Sequence, residues 1–402
     1  MKLTLPPYTI DELFTPQSFQ KMGAVDDWGY KFVNPQAFHD KGYKGRAVHF
    51  VIDTMDVSDH PDVEPKLLKE FCKSFIAEPA GDGNGHGTWV ASRIAGLQDG
   101  VGVRGIAPSS VIVGVKALNK SGAGTDVALE QAIMYTADVQ LPMPYNNWPR
   151  IINMSLGASM PMTRVETALK YAVGKGVIVV AAAGNSGYNG ANTINYPARY
   201  EDLAIAVGAF DSNVNPASFS SGGLEIDFAA PGVSLYGAWL NKGFSSISGT
   251  SMATPIISGV IDLLIQRYNL PLNQKAIEQA LKQYAKDIFT PGFDVRTGDG
   301  TFILSDTDTP PPPTPTEQLV ELILPFYNGW PLMFAGNGEI TITLPFRDTD
   351  SLETLWANAL GLIRHLTSRN SDEPLKNLAL KIKGATFAKS VSVNTGRYKI
   401  TV

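Results

Sequence analysis

Short apolar runs recur along the chain, separated by segments long enough to form helices. The runs that predict strands are Val48–Ile52, Val111–Val115, Ile151–Met154, Val177–Val180 and Ala204–Val207. Two later segments, Ser251–Arg267 and Leu272–Tyr284, repeat apolar residues at helical spacing. Strands that alternate with helices in this way predict an α/β fold, with a mostly parallel sheet covered by helices on both faces.

The pattern changes at a proline-rich segment, residues 306–316, which predicts a semi-rigid linker. Beyond it, Glu339–Leu344 alternates like a half-buried strand, and Leu352–Leu366 has a helical period. Lys389–Val393 and Arg397–Val402 flank a glycine-containing turn and predict a hairpin. We therefore predict an N-terminal extension (1–25), a main domain (26–305), the linker and a small α+β domain (317–402). The role of the small α+β domain stays open between docking, homo-oligomerisation and stabilisation.

Composition narrows the class of protein. Of the 402 residues, 44% are hydrophobic and 18% charged, which is typical of a globular protein. The net charge of −5 and the lack of a Lys/Arg block argue against nucleic-acid and anionic-membrane partners. A single cysteine, Cys72, cannot form an internal disulfide. No signal-peptide pattern or membrane-spanning run is present, so a cytoplasmic location is expected.

Candidate chemistry lies in four segments. An apolar strand ends at Asp53, a glycine-rich segment places His86 at a helix start, and Ser251 follows Ser-Gly-Thr in the first turn of another helix. Asn185 follows a buried strand, where its amide could stabilise an oxyanion. Taken singly, each has a plain structural explanation: a capping Asp, a core or surface His, a turn Asn, a helix-capping Ser. Their conjunction favours an active site.

Together these segments resemble the subtilisin-like serine proteases, over about residues 28–300. The order Asp, His, Ser along the chain is the one found in subtilisin. The resemblance implies that Ser251 is the nucleophile, His86 the general base and Asp53 the residue that orients the imidazole. Asn185 and the Ser251 backbone N–H would form the oxyanion hole.

The resemblance also implies a substrate cleft. One wall would be Ser155, Leu156 and Gly157, and the other Gly122, Ala123 and Gly124, both pairing with an extended peptide. Ala182, Ala183 and Gly184 would line the first specificity pocket. Asn195 stands near its floor, where relatives often have glycine, which predicts a smaller and more polar pocket.

A calcium site is a further implication. Asp62 and Asp99 would supply carboxylate oxygens, and Leu97, Val101 and Val103 backbone carbonyls. The alternative is a glycine-rich surface loop that binds no ion.

The N-terminus is similar to the short extension of intracellular subtilisins. Leu5, Pro6, Pro7 and Tyr8 match a motif that crosses the cleft and keeps the enzyme inactive. Proline suits this task because it lacks an N–H and fixes φ. The alternative is a loosely ordered tail with a chance proline pair.

The sequence thus predicts a calcium-supported intracellular serine endopeptidase, made as a zymogen and acting on proteins or peptides. The alternatives are a peptide-binding protein, or a protease dedicated to processing one partner, on the same scaffold.

Overall fold

The computed structural model describes residues 2–20 and 24–307, and five strands after residue 317. The chain divides into two compact units, Met1–Pro310 and Pro311–Val402. Most of the predicted linker and the whole predicted helix Leu352–Leu366 lie outside the described residues. The predicted domain boundaries stay a prediction.

The first unit contains fourteen described strands and eight described helices. The strands are β1 Lys2–Thr4, β2 Thr9–Phe14, β3 Ala24–Val25, β4 Val48–Asp53, β5 Lys73–Ser74, β6 Gly102–Val103, β7 Val111–Lys116, β8 Ala123–Thr125, β9 Arg150–Met154, β10 Ile178–Ala182, β11 Ile205–Phe210, β12 Phe228–Pro231, β13 Leu235–Ala238 and β14 Phe244–Ser248. The helices are α1 Pro16–Gln20, α2 Trp28–Val33, α3 Gln36–His39, α4 His86–Ala95, α5 Asp126–Asp138, α6 Thr163–Gly174, α7 Thr250–Tyr268 and α8 Gln274–Lys282.

A seven-stranded sheet forms the centre of this unit, in the order β12-β11-β10-β9-β4-β7-β5 with every neighbouring pair parallel. Successive side chains of a strand point to opposite faces, and in β4 all of them are buried. Val51 packs in a cluster with α4 and α7, whereas Phe50 and Ile52 pack in a second cluster with α5 and α6. The sheet is thus covered on both faces, which confirms the predicted α/β fold.

The second unit is described only as strands. β15 Gln318–Phe326 pairs antiparallel with β16 Gly338–Phe346 and with β17 Ala379–Ile382. β18 Ser392–Asn394 and β19 Lys399–Thr401 also pair antiparallel, in agreement with the predicted hairpin. None of the helices in the described part of the chain is long and apolar enough to cross a membrane.

The N-terminal extension forms strand pairs with the rest of the first unit at three places. β1 pairs antiparallel with β8, β2 pairs antiparallel with β14, and β3 pairs parallel with β6. Between these pairs, Phe19 of α1 is completely buried and stacks on Phe244 with ring centroids 3.9 Å apart. Leu3 of β1 is also completely buried, in the cluster that covers one face of the central sheet. Over the residues described, the extension thus consists of three strands and a helix that pack on the first unit.

Candidate active site

The predicted catalytic side chains meet at the carboxyl edge of the central sheet. Asp53 is the last residue of β4, and Asn185 follows the end of β10. His86 begins α4, and Ser251 is the second residue of α7. Because parallel strands end at a common edge, residues distant in sequence come together there.

Asp53 and His86 form a buried pair. The Asp53 carboxylate oxygens lie 2.8 and 3.0 Å from His86 Nδ1, and neither residue is exposed. The Thr54 backbone N–H also donates to Asp53 Oδ1, at 2.7 Å, which fixes the carboxylate. A carboxylate can only accept here, so His86 carries its proton on Nδ1 and leaves Nε2 as a base. Within the described residues, this buried Nε2 has no hydrogen-bond partner.

Ser251 is completely buried, and its hydroxyl is hydrogen bonded to Ser155 and not to His86. Its hydroxyl donates to the Ser155 carbonyl, at 3.1 Å, and the Ser155 hydroxyl donates to the Ser251 carbonyl, at 2.9 Å. This reciprocal contact ties the start of α7 to the segment that follows β9. The Ser251 proton is therefore directed at Ser155 in this state.

Asn185 is held in one orientation by its neighbours. Its Oδ1 accepts hydrogen bonds from the backbone N–H of Thr250, at 2.9 Å, and from the Thr250 hydroxyl, at 2.8 Å. The amide nitrogen is thereby turned outward, and it donates to the carbonyl of Pro7 at 2.7 Å. A carbonyl of the N-terminal extension thus lies where the predicted oxyanion donor points.

The extension approaches this position between the two predicted cleft walls. Thr4 exchanges backbone hydrogen bonds with Gly157, at 3.2 and 3.1 Å, and the Leu5 N–H donates to the Gly122 carbonyl at 2.8 Å. On the same side, Leu3 and Thr4 pair in register with Gly124 and Ala123. The extension is therefore bound as an added antiparallel strand.

Tyr8 covers the His86 imidazole. The two ring centroids are 5.1 Å apart, and the Tyr8 hydroxyl donates to Asn84 Oδ1 at 3.3 Å. Burial, followed by the nearby negative charges of Asp53 and Asp82, raises the pKa of Tyr8 to about 12. Tyr8 is consequently a neutral hydrogen-bond donor at physiological pH.

Comparison with known proteins identifies the family. The peptidase S8 family model, described as the subtilase family, matches residues 50–300. The chain belongs to the subtilase family. It is 41% identical over 243 residues to Subtilisin DY of Bacillus licheniformis, covering 60% of this chain and 85% of that protein. It is 40% identical over 241 residues to Subtilisin Savinase of Lederbergia lenta, covering 60% and 84%.

A third relative extends the match slightly. A thermostable alkaline protease of Halalkalibacterium halodurans is 38% identical over 265 residues, which cover 66% of this chain and 69% of that protein. As a subtilase, the chain is a serine endopeptidase that acts on proteins or peptides. The predicted fold and reaction class are thereby confirmed.

Asn195 lies at the predicted first specificity pocket. The side chain lies between Gly157 and Gly184, because a Cβ on either glycine would come within 2.9 or 2.7 Å of Asn195 atoms. Ala182 and Ala183 are completely buried nearby. The arrangement leaves little room for a large side chain and presents an amide to the pocket.

One residue that organises the site was missed from the sequence. The Asp82 carboxylate accepts hydrogen bonds from the backbone N–H groups of Asn84, Gly85 and Thr88 and from the hydroxyls of Thr54 and Thr88. Asp82 thereby links the start of helix α4, which carries His86, to Thr54, the residue after Asp53. The available signal was an aspartate shortly before a glycine-rich helix start, since Asp commonly caps nearby N–H groups.

The residues predicted to hold calcium are adjacent in space. Asp62 is buried, its Oδ2 accepts from the Val103 N–H at 2.9 Å, and Gly102 lies directly against its carboxyl group. Burial, with a smaller effect from Asp99, raises the pKa of Asp62 to about 6. In the described part of the chain, no three His, Cys, Asp or Glu side chains are grouped to hold a metal. Calcium would thus depend on two carboxylates and on loop carbonyls, which are ligands of the right chemical kind.

Proposed function

We propose that this subtilase is a latent serine endopeptidase whose N-terminal extension occupies its own cleft. The observation that carries the proposal is the 2.7 Å hydrogen bond from the Asn185 amide to the Pro7 carbonyl. A donor that would stabilise the oxyanion of a substrate instead holds a carbonyl of the same chain.

In the proposed active state, Ser251 attacks the substrate carbonyl while His86 Nε2 accepts its proton. Asp53 keeps the imidazole in the required tautomer and stabilises the imidazolium that forms. The Asn185 amide and the Ser251 N–H stabilise the oxyanion. His86 then protonates the leaving amine, and water, deprotonated by His86, releases the acyl group from Ser251.

Several contacts support latency rather than cleavage of the extension. Strand pairing with the cleft ends at Leu5, because Pro6 and Pro7 have no N–H to donate. The carbonyl near Asn185 belongs to Pro7, two residues further on, and the Ser251 hydroxyl donates to Ser155 instead of facing a free base. Tyr8 meanwhile covers His86. The occupant thus resembles a substrate that is bound but not aligned for attack.

We also propose that calcium binds at Asp62, Asp99 and the carbonyls of Leu97, Val101 and Val103. The support is the buried carboxyl group of Asp62, whose raised pKa signals a charge that the protein alone stabilises poorly. When bound, the ion would neutralise this charge and fix the loop.

The test follows intact mass with time for the full-length wild type and for Ser251→Ala, with casein cleavage measured in parallel. We expect the wild type to lose its extension as casein cleavage rises, and Ser251→Ala to stay whole. If a chain that keeps its extension cleaves casein at the full rate, the latency proposal is wrong, but the assignment as a protease stands. An active Ser251→Ala protein would contradict the assignment of the nucleophile.

A further inference from the structure

We propose that the edge of β14 now paired with β2 binds, once the extension is removed, the part of the substrate that follows the cleaved bond, as an added antiparallel strand reaching the seventh residue. This inference rests on the proposed function, because it takes the extension as a guide to how a substrate lies in the cleft. The ligand class is an extended polypeptide, bound mainly through its backbone.

The register between β2 and β14 carries the inference. Beyond the Pro7 carbonyl held by Asn185, Tyr8 is the first residue, and pairing begins at the second, Thr9, opposite Ser248. It continues to the seventh, Phe14, opposite Phe244. One irregularity occurs between Ser246 and Ile247, opposite Asp11. Strand β2 therefore runs along β14 in the direction away from the reaction centre.

The edge of β14 is also suited to accept a substrate. Its other edge is paired with β13 along Phe244–Ile247, so the strand keeps a sheet partner when β2 is absent. Removal of the extension would leave a row of backbone N–H and C=O groups without partners. Such an edge is a ready template for another extended chain.

Apart from Phe14, which packs against Tyr236, the side chains of β2 contribute little to its binding, which makes most of the edge tolerant of sequence. Residues Thr9–Leu13 are exposed, with Leu13 retaining 61% of its accessible surface. A specific contact does occur where the pairing is irregular, because the Ser248 hydroxyl donates to Asp11 Oδ2 at 2.8 Å. The fourth residue after the bond is thus the place where a carboxylate is expected to be favoured.

The consequence concerns substrate length. A peptide that ends two residues after the cleaved bond can pair with β14 at one residue only, whereas an unfolded protein segment can pair along the whole strand. The protease should accordingly prefer bonds followed by at least seven residues of extended chain.

The test uses peptides that share Leu-Thr-Leu-Ala before the bond and carry two, four or seven residues after it. The full-length protein is first incubated until its casein cleavage rate is constant. We expect kcat/KM to rise by at least about tenfold between two and seven residues, since each added backbone hydrogen bond strengthens binding several-fold.

N-methylation of single backbone nitrogens in the longest peptide supplies the matched controls. In an antiparallel pair, alternate residues turn their N–H to the partner strand and the others turn it away. Losses in kcat/KM should therefore alternate along the residues after the bond, with one break in the alternation at the fourth residue, where the pairing is irregular. Equal rates at all three lengths, or losses without alternation, would overturn the inference while leaving the protease assignment intact. If no peptide is cut at any length, the proposed function fails and this inference with it.

Discussion

Asn185 has two tasks, one for each polar atom of its amide. Its oxygen braces the start of α7 through Thr250, and its nitrogen faces the carbonyl in the cleft. In Asn185→Ala, we expect kcat to fall by about 10²–10³ with little change in KM, the loss known for an oxyanion-hole donor in subtilisin itself. Steady-state kinetics of the activated protein test this. A raised KM at unchanged kcat would instead assign Asn185 to substrate binding.

Asn195 should set the size limit of the first specificity pocket. In Asn195→Gly, the space between Gly157 and Gly184 opens, so kcat/KM for a large apolar residue before the cleaved bond should rise by at least about tenfold. Peptides that differ only at that residue measure the change. The control is Asn192→Gly in the same loop, whose side chain contacts Glu225 and Gly223. An equal gain in both variants would contradict a direct role for Asn195.

Among the secondary-structure elements, β1 is anchored in the core by a single buried side chain, that of Leu3. Leu3 is completely buried, and replacing a buried leucine by alanine costs about 2–5 kcal/mol. We expect Leu3→Ala to weaken binding of the extension. The initial rate of casein cleavage should then rise at least tenfold, and the lag before casein cleavage reaches its final rate should become shorter. Lys2→Ala, at the exposed neighbouring position, should behave as the wild type. A lag unchanged in Leu3→Ala would show that β1 does not control access to the cleft.

Glu278 of α8 and Asp227, the residue before β12, are two carboxyl groups whose charges interact. Burial raises the pKa of Glu278 to about 7, and burial together with Glu278 raises that of Asp227 well above its usual range. Lys282 opposes both shifts, Lys275 opposes that of Glu278, and Asp202 adds to that of Glu278. Since the folded state holds these protons more tightly than the unfolded state, stability from Glu278 is lost as pH rises from about 4.5 to 7.

Glu278→Gln removes that titration. In a Ser251→Ala background, which prevents autolysis, the fall in Tm between pH 5 and pH 8 should be smaller in Glu278→Gln than in its parent. Thermal unfolding at both pH values measures the difference. Identical pH dependence in the two proteins would show that Glu278 does not titrate in this range.

The elements that the sequence predicted share one property: their pattern is local. Val48–Ile52 and Ile151–Met154 are buried on both faces and contain little but apolar residues, so composition alone predicted strands β4 and β9. β1 and β2 were not predicted, because their pairing depends on edges contributed by residues more than a hundred positions away. For the same reason, the role of Leu3 was visible only in three dimensions.

For the molecule as a whole, calcium should act on the unfolding equilibrium. An ion that binds only the folded state adds about 2.7 kcal/mol at a concentration one hundred times its Kd. Excess EDTA should therefore lower the Tm of full-length Ser251→Ala by several degrees. In Asp62→Asn on the same background, we expect a lower Tm that no longer responds to EDTA. An unchanged Tm of the parent in EDTA would contradict the calcium proposal.

The extension and the cleft belong to one polypeptide, with β1 and β2 paired on either side of the reaction centre. An occupant tethered in this way has an effective concentration on the order of millimolar, whatever the dilution of the protein. Binding of the extension to the cleft should hence be a first-order process whose extent does not depend on protein concentration. Only a substrate at a concentration comparable to the effective concentration of the extension could compete with it. A single cut after β2 turns the occupant into a separate peptide that dilution removes, so activation should be a one-way step.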